Sequence, residues 1–97
     1  MDNVSFSWDE HKAAENGRKH KVSFEEAMTV FLDENAGDFF DPDHSEGEDR
    51  FLMLGMSWRL RLLAVHYTIR DRGRQIRIIS ARKATKNEAK AYPWTKR

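Results

Sequence analysis

The sequence predicts an α+β fold in which a mostly antiparallel, twisted sheet has helices packed on it. One observation is a set of segments with the apolar or alternating pattern of β-strands. The other is a set of three helix-start signals, two between the first and second of these segments and one after the last. The predicted order is β-α-α-β-β-β-α, and residues 37–40 are a possible additional strand. The strand-like segments are residues 4–8, 51–56, 60–69 and 75–81.

Three helix-start signals place the predicted helices. Asp9 stands where an N-cap belongs, before a helical segment over residues 10–19. Ser23 and Glu26 match a capping box, in which the serine oxygen accepts from the Glu26 backbone N–H and the Glu26 side chain reaches back. Thr85 and Glu88 repeat this pattern before a last short helix that Pro93 ends. The second helix has apolar side chains at the spacing of one buried face, namely Phe24, Ala27, Met28 and Phe31.

The longest strand-like segment, residues 60–69, is largely apolar on both of its alternating faces. This pattern suits a central strand that is covered on both sides. Residues 71–74, with a glycine at residue 73, form a hairpin-like turn into the next strand.

Length and composition indicate one domain over residues 1–97, with a modest core. The chain has no cysteine, which excludes disulfides, thiolate metal sites and thiol nucleophiles. It also has no apolar run of membrane-spanning length, and its acidic start lacks the pattern of a signal peptide. We therefore expect a cytoplasmic protein without a membrane partner.

Charge is distributed unevenly along the chain. Residues 1–57 hold five Lys/Arg and fourteen Asp/Glu, a balance of −9, whereas residues 58–97 hold twelve and two, a balance of +10. Such an asymmetry indicates either an anionic partner for the C-terminal part or two halves that complement each other within one fold. The charge pattern alone leaves both interpretations open.

Several classes of site are not supported by the motifs. The acidic segment from Asp41 to Asp49 lacks the glycine and glutamate positions of a calcium-binding EF-hand. The four histidines form no zinc motif, and no glycine-rich phosphate loop or GxSxG elbow is present. We expect no metal and no cofactor. We expect the acidic segment to be a solvated loop that docks against the basic half.

The cations of the second half remain as a candidate site for RNA. Metal-free RNA cleavage requires that the 2′-OH, the phosphate and the leaving oxygen lie in line and that cations stabilise the added negative charge. Arginine suits this task because its planar fork donates two parallel hydrogen bonds to phosphate oxygens. His20, Lys19 or a carboxylate could transfer protons, and Trp58 and Tyr67 could stack on bases. The basic set is Arg59, Arg61, Arg70, Arg72, Arg74, Arg77, Arg82, Lys83, Lys86 and Lys90.

Each of these candidates also has a purely structural interpretation. The arginines at residues 70, 72 and 74 surround a turn and are typical of a solvated surface. Arg77 alternates with buried isoleucines, so it projects from the opposite face and could pair with an acidic residue of the first half. His66 in an apolar strand is typical of a hydrogen-bonded core histidine, and Trp58 could belong to the core.

Two sets of motifs follow one another in a fixed order over residues 6–92. The N-terminal set comprises Phe6, Trp8, Asp9, Asn16, Lys19, His20, the run from Val22 to Ala27, and Phe31. The C-terminal set comprises Glu48, Arg50, Arg61, Leu62, Leu63, Tyr67, Thr68 and the distinctive run IRIISARKAT at residues 76–85. Together these motifs resemble those of the BrnT family.

The resemblance implies a ribonuclease toxin of a type II toxin–antitoxin system, with a RelE-like fold. It further implies inhibition of translation and growth by RNA cleavage, and neutralisation by a BrnA antitoxin with a ribbon-helix-helix domain. Operator DNA would be bound only indirectly, through the complex with the antitoxin. The family usually has glycine where this chain has Lys21 and Leu60, and a non-glycine residue tolerates a positive φ less easily.

We therefore predict a metal-independent endoribonuclease in which the RNA 2′-OH attacks. The predicted catalytic residues are Arg61, Arg82, Lys83 and His20. The predicted RNA-binding residues are Lys19, Arg59, Arg77, Tyr67 and Lys86. The alternative is a non-catalytic nucleic-acid-binding or corepressor module that acts only in complex with an antitoxin.

Overall fold

The computed structural model describes residues 4–93 as a five-stranded sheet with three α-helices. Helix α1 (Glu10–His20) and helix α2 (Phe24–Met28) follow strand β1 (Ser5–Ser7), and a 3₁₀ turn (Thr29–Leu32) extends α2. Strands β2 (Gly37–Phe40), β3 (Arg50–Met56), β4 (Leu62–Arg70) and β5 (Gln75–Lys83) come next, and helix α3 (Lys86–Lys90) is last. The predicted element order is confirmed, including the optional strand at residues 37–40.

The strands lie in the order β1-β5-β4-β3-β2. The pairings β2–β3, β3–β4 and β4–β5 are antiparallel, as predicted, but β1 pairs with β5 in parallel. The sheet is therefore mixed. Strand β4 is central, and it has buried residues on both faces, Leu63 and Val65 on one and Ala64 and Thr68 on the other.

The core lies between one face of the sheet and the pair α1 and α2. Phe31 joins the two layers, since its ring packs edge-on against Phe6 at 5.3 Å and against Tyr67 at 5.0 Å between centroids. Gly55 on β3 allows a close approach, because a Cβ there would lie 2.9 Å from the Ala36 Cβ. The fully buried apolar side chains include Val22, Phe24, Ala27, Val30, Leu63 and Val65.

The helix-start signals are only partly realised as predicted. Asp9 caps α1, and Thr85 with Glu88 forms a complete capping box on α3. Ser23 caps α2 by accepting from the Glu26 N–H, but the Glu26 carboxylate does not return to the cap. It binds Ser57 and Arg61 instead, so the second half of this capping box was predicted wrongly.

A β-bulge in β5 sets which side chains share a face. Tyr67 pairs with Ile78 and His66 pairs with Ser80, so Ile79 is an extra residue on β5. The buried Asn16 of α1 then binds both the N–H and the C=O of Ala81, at 3.0 and 2.8 Å. Its amide thereby replaces a neighbouring strand at this part of the β5 edge.

Within residues 4–93, no helix is long and apolar enough to cross a membrane.

Candidate functional site

The sheet face opposite α1 and α2 carries a group of cationic side chains, which we call the basic face. Register and alternation place five residues on it: Arg50 of β3, His66 and Arg70 of β4, and Arg77 and Arg82 of β5. Arg77 and Arg82 are five residues apart, and they share this face only because the bulge at Ile79 reverses the alternation between them.

The register arranges these residues in rows that cross the strands. Arg50, Thr68 and Arg77 are neighbours in one row, and Ser7 of β1 continues that row beyond Arg77. His66 occupies the next row, between Leu52 and Ser80. The row beyond holds Arg82 next to Ala64. Successive rows are about 6–7 Å apart along a strand, so His66 lies between two cationic positions.

Unpaired polar atoms accumulate in the first of these rows. Of the side chains in residues 4–93, three have a buried nitrogen or oxygen atom without a hydrogen-bond partner: Ser7 Oγ, Arg50 Nε and Thr68 Oγ1. All three belong to the row that contains Arg77. A buried polar atom without a partner costs about 1–3 kcal/mol, so this row contains three side chains whose hydrogen-bonding capacity is not used in the free protein.

Arg82 is oriented by α3. Its Nη1 and Nη2 donate to the two Glu88 oxygens at 2.8 and 2.9 Å, in a bidentate ion pair. The hydrogen bond from Arg82 lowers the pKa of Glu88 to about 2, with the Thr85 backbone N–H as a further donor. The capping box of α3 thus also fixes the guanidinium of Arg82 on the basic face.

His66 lies near an acidic group of the loop after β2. Its Nδ1 is 3.7 Å from Asp41 Oδ2, and the same oxygen accepts from His44 Nδ1 at 2.9 Å. Burial and the nearby charge of Arg82 lower the pKa of His66, although Asp41 acts in the opposite direction. Burial would raise the pKa of Asp41, but the hydrogen bond and charge of His44 outweigh it and lower this pKa.

The acidic loop docks on the basic strands, as the sequence predicted, through Glu48. This carboxylate accepts from Arg70 Nε and Nη2 at 2.9 and 3.1 Å. Arg70 lowers the pKa of Glu48 mainly through these hydrogen bonds, and the charges of Arg50 and Arg77 add to the effect. Neither Arg50 nor Arg77 forms an ion pair of its own with a described residue.

The structure places Arg61 away from the basic face. Arg61 precedes β4 and forms a bidentate ion pair with the buried Glu26 of α2, with Nε 2.9 Å from Oε2. The exposed Arg59 lies 3.9 Å from the same carboxylate. These two candidates are therefore engaged with α2 and do not meet Arg82.

Tyr67 does not have the surface position that base stacking requires. It is 3% exposed, lies between the Phe31 and Phe51 rings, and has a pKa raised to about 12, mainly by burial. The prediction that it contacts RNA is corrected to a role in the core. Trp58 is 70% exposed at the β3–β4 turn, so it is not a core residue.

The remaining candidates lie outside the basic face. Lys19 and His20, in the last turn of α1, line a pocket of about 510 Å³ that also includes Ser80 of the His66 row. Lys83 is exposed at the end of β5, and Lys86 is exposed at the start of α3. Among residues 4–93 no group of three or more His, Asp or Glu side chains could hold a metal ion.

Four residues of this region were not predicted as site residues from the sequence, namely Arg50, His66, Asp41 and His44. Two features of the sequence could have indicated them. Arg50 and Thr68 belong to the motifs that resemble the family, and His66 alternates with apolar residues along its strand. The missing information was the pairing that brings β3 and the loop after β2 alongside His66.

Comparison with known proteins defines the class to which this fold and basic face belong. A family model described as ribonuclease toxin, BrnT, of type II toxin-antitoxin system matches residues 8–88. The class is therefore that of ribonuclease toxins of type II toxin–antitoxin systems, which implies an RNA target and an antitoxin partner. The chain belongs to the BrnT family, and the resemblance seen in the sequence is confirmed.

A solved structure is also similar. It is the 1.1 Å-resolution crystal structure of the Brucella abortus ribonuclease toxin BrnT, with a TM-score of 0.65 and 22% sequence identity. The match covers 86% of this chain and 99% of that chain, and at this identity it shows the α+β fold alone. No curated protein matches this chain.

Proposed function

We propose that this protein is a metal-independent endoribonuclease toxin of RelE-like architecture that cuts RNA on its basic face. The observation that carries the proposal is the row in which Ser7, Arg50 and Thr68 hold unpaired buried polar atoms beside Arg77. An RNA phosphate offers acceptors to Arg50 and Arg77, and it would reach the buried Ser7 and Thr68 hydroxyls only if the side chains that cover them move. Family membership supplies RNA as the target.

Phosphate binding is assigned to the three arginines of the basic face that flank His66. Arg50 and Arg77 approach from β3 and β5 in one row, and Arg82 approaches from the row on the other side. Glu88 accepts hydrogen bonds from Nη1 and Nη2 of Arg82, while Nε of Arg82 donates to no described residue. Cations fixed before the reaction stabilise the extra negative charge of the phosphorane, which is usually a large catalytic contribution.

The rest of the RNA would extend beyond the basic face. Lys19 and His20 line the pocket that also includes Ser80, so they are suited to phosphates on one flank. Lys83 and Lys86 are exposed near Arg82 in sequence and are suited to phosphates near α3. Arg59 and Arg61 would contribute mainly by holding the β3–β4 turn to α2.

The proposed partner is a BrnA-type antitoxin with a ribbon-helix-helix domain. It would neutralise the toxin in the cytoplasm, and the complex would bind operator DNA through the antitoxin. Support comes from the toxin–antitoxin class of the family and from the motifs at residues 6–31 and 76–85.

The test is cleavage of a generic RNA by the purified protein in EDTA, with analysis of the product ends. Attack by the 2′-OH predicts a 2′,3′-cyclic phosphate and a 5′-OH. It also predicts that an oligonucleotide with a single 2′-deoxy substitution is not cut at that position. Absence of cleavage, or a requirement for a divalent ion, would contradict the proposal. Salt-sensitive RNA binding without cleavage, and no growth arrest on expression without a partner, would favour the non-catalytic module.

A further inference from the structure

We propose that His66 is the general base of the RNA cleavage reaction, that His44 is the general acid, and that Asp41 positions both. This inference rests on the proposed function, because it assigns proton transfers to the site at which the phosphate is held. It differs from the sequence-based expectation, which considered His20 for this task.

The position of His66 on the sheet suits a general base. It lies on the central strand, one row from Arg50 and Arg77 and one row from Arg82, so a phosphate bound by these arginines lies next to its ring. The side chain is 21% exposed, and Ser80 and Leu52 flank it on the neighbouring strands. His66 is therefore accessible on one side and held on the others.

Asp41 lies between the two histidines and contacts both rings. Both Nδ1 atoms face Oδ2 of Asp41, at 2.9 Å for His44 and 3.7 Å for His66, and the ring centroids are 6.5 Å apart. With Nδ1 facing the carboxylate, the Nε2 atom of each ring has no hydrogen-bond partner among residues 4–93 and is available to exchange a proton with the RNA. A carboxylate that fixes the tautomer and orientation of a histidine is a common arrangement in acid–base catalysis.

Burial and the surrounding charges together favour the neutral, basic form of His66. Burial is the main cause that lowers its pKa. The charges of Arg82 on β5, His44 in the loop and Arg50 on β3 lower the pKa further, and the charge of Asp41 raises it. Glu88 partly offsets Arg82, to which it is paired. A neutral imidazole at physiological pH can accept a proton. His44 is 63% exposed and its Nδ1 lies 2.9 Å from Asp41 Oδ2, so most of its ring is open to the solvent.

In the proposed cleavage step, one proton passes from the RNA to His66 and one passes from His44 to the RNA. Nε2 of His66 takes the proton of the 2′-OH while O2′ forms a bond to phosphorus. The bond from phosphorus to O5′ breaks, and O5′ takes a proton from Nε2 of His44. The products are a 2′,3′-cyclic phosphate and a 5′-OH, and solvent returns both histidines to their starting protonation states. No redox change or metal is involved.

The experiment compares pH–rate profiles of the full-length protein and its variants on normal RNA and on RNA with a bridging 5′-sulfur leaving group. His66→Gln, or His66→Asn as a second variant, should lower the rate about 100-fold or more on both substrates and remove the rise of rate with pH. His44→Gln should cut normal RNA more slowly than wild type does. It should cut the 5′-sulfur RNA at the wild-type rate, because a thiolate leaving group needs no proton from a general acid. Asp41→Asn should shift the rise of the cleavage rate to lower pH, since the charge of Asp41 raises the pKa of His66.

His11→Gln provides the matched control, because His11 is exposed on α1 on the other side of the sheet and should leave both profiles unchanged. Folded His66 variants that cut like wild type with an unchanged profile would overturn this inference and leave the proposed function standing. His44→Gln impaired equally on both substrates would overturn the assignment of the acid. A wild-type protein that cuts no RNA would overturn the proposed function and this inference with it.

Discussion

Arg61 and Glu26 form a bidentate ion pair that joins the start of β4 to α2. Glu26 is 3% exposed, and besides Arg61 it accepts a hydrogen bond from Ser57 Oγ at 2.7 Å. Arg61 also donates to the Lys21 carbonyl at the end of α1, at 3.1 Å. The hydrogen bond from Arg61 is the main cause of the lowered pKa of Glu26. The pair therefore connects the β3–β4 turn to both helices that cover the core.

Removing Arg61 should destabilise the fold strongly, because the buried Glu26 would lose its charge partner. We expect Arg61→Ala to lower the free energy of unfolding by about 3–5 kcal/mol, measured by denaturant titration. Arg59→Ala is the control, since Arg59 is mostly exposed and lies 3.9 Å from Glu26, and it should change stability by less than about 1 kcal/mol. Equal effects of the two variants would show that the ion pair does not hold α2.

Two of the non-glycine residues with a positive φ are Lys21 and Leu60. Lys21 (φ 59°) ends α1, and Leu60 (φ 62°) lies in the β3–β4 turn with 82% of its surface exposed. The left-handed conformation costs a residue with a Cβ about 1 kcal/mol relative to glycine. We expect Lys21→Gly and Leu60→Gly each to raise the melting temperature by a few degrees. A lower melting temperature in both would contradict these backbone conformations.

The Glu88–Arg82 pair should make stability depend on pH in the acidic range. The folded pKa of Glu88, about 2, lies below its ordinary value of 4.5. Glu88 therefore contributes about 2–3 kcal/mol to the free energy of unfolding above pH 4.5, and this contribution is lost as the pH falls toward 2. Glu88→Gln should be less stable than wild type at pH 7 and equally stable at pH 2, as measured by denaturant unfolding. A pH-independent difference would show that charge is not the cause.

The unpaired hydroxyl of Thr68 predicts opposite effects on folding and on RNA binding. Thr68 is 1% exposed, and its Oγ1 has no partner among residues 4–93. Thr68→Val removes this atom with little change of shape, so the free protein should be as stable or up to about 1 kcal/mol more stable. The affinity for RNA should fall by several-fold, measured by fluorescence anisotropy at fixed salt. Unchanged affinity would exclude this row as a phosphate site.

Local patterns were enough to predict most of the fold. The caps at Asp9 and Thr85 and the apolar strand segments each depend on residues close in sequence, and the structure has them. The role of Glu26 could not be predicted, because the capping pattern with Ser23 competes with Arg61, which is thirty-five residues away in sequence.

The candidate site was harder to predict for the same reason. Strict alternation would put Arg77 and Arg82 on opposite faces, and the bulge at Ile79 has no clear signature in the sequence. His66 belongs to the site only because the loop after β2 brings Asp41 beside it. Long-range register and loop docking therefore determine the site, whereas short-range patterns determine the helices and strands.

The most direct test of the basic face as the RNA site is kcat/KM for RNA cleavage by Arg77→Ala. Arg77 has no ion pair with a described residue, so its removal should leave the fold intact, and Arg72→Ala is a charge-matched control at the exposed β4–β5 turn. We predict a loss of about 100-fold for Arg77→Ala and little change for Arg72→Ala, at the same salt concentration. Wild-type activity in a folded Arg77→Ala protein would contradict the assignment of RNA cleavage to this face.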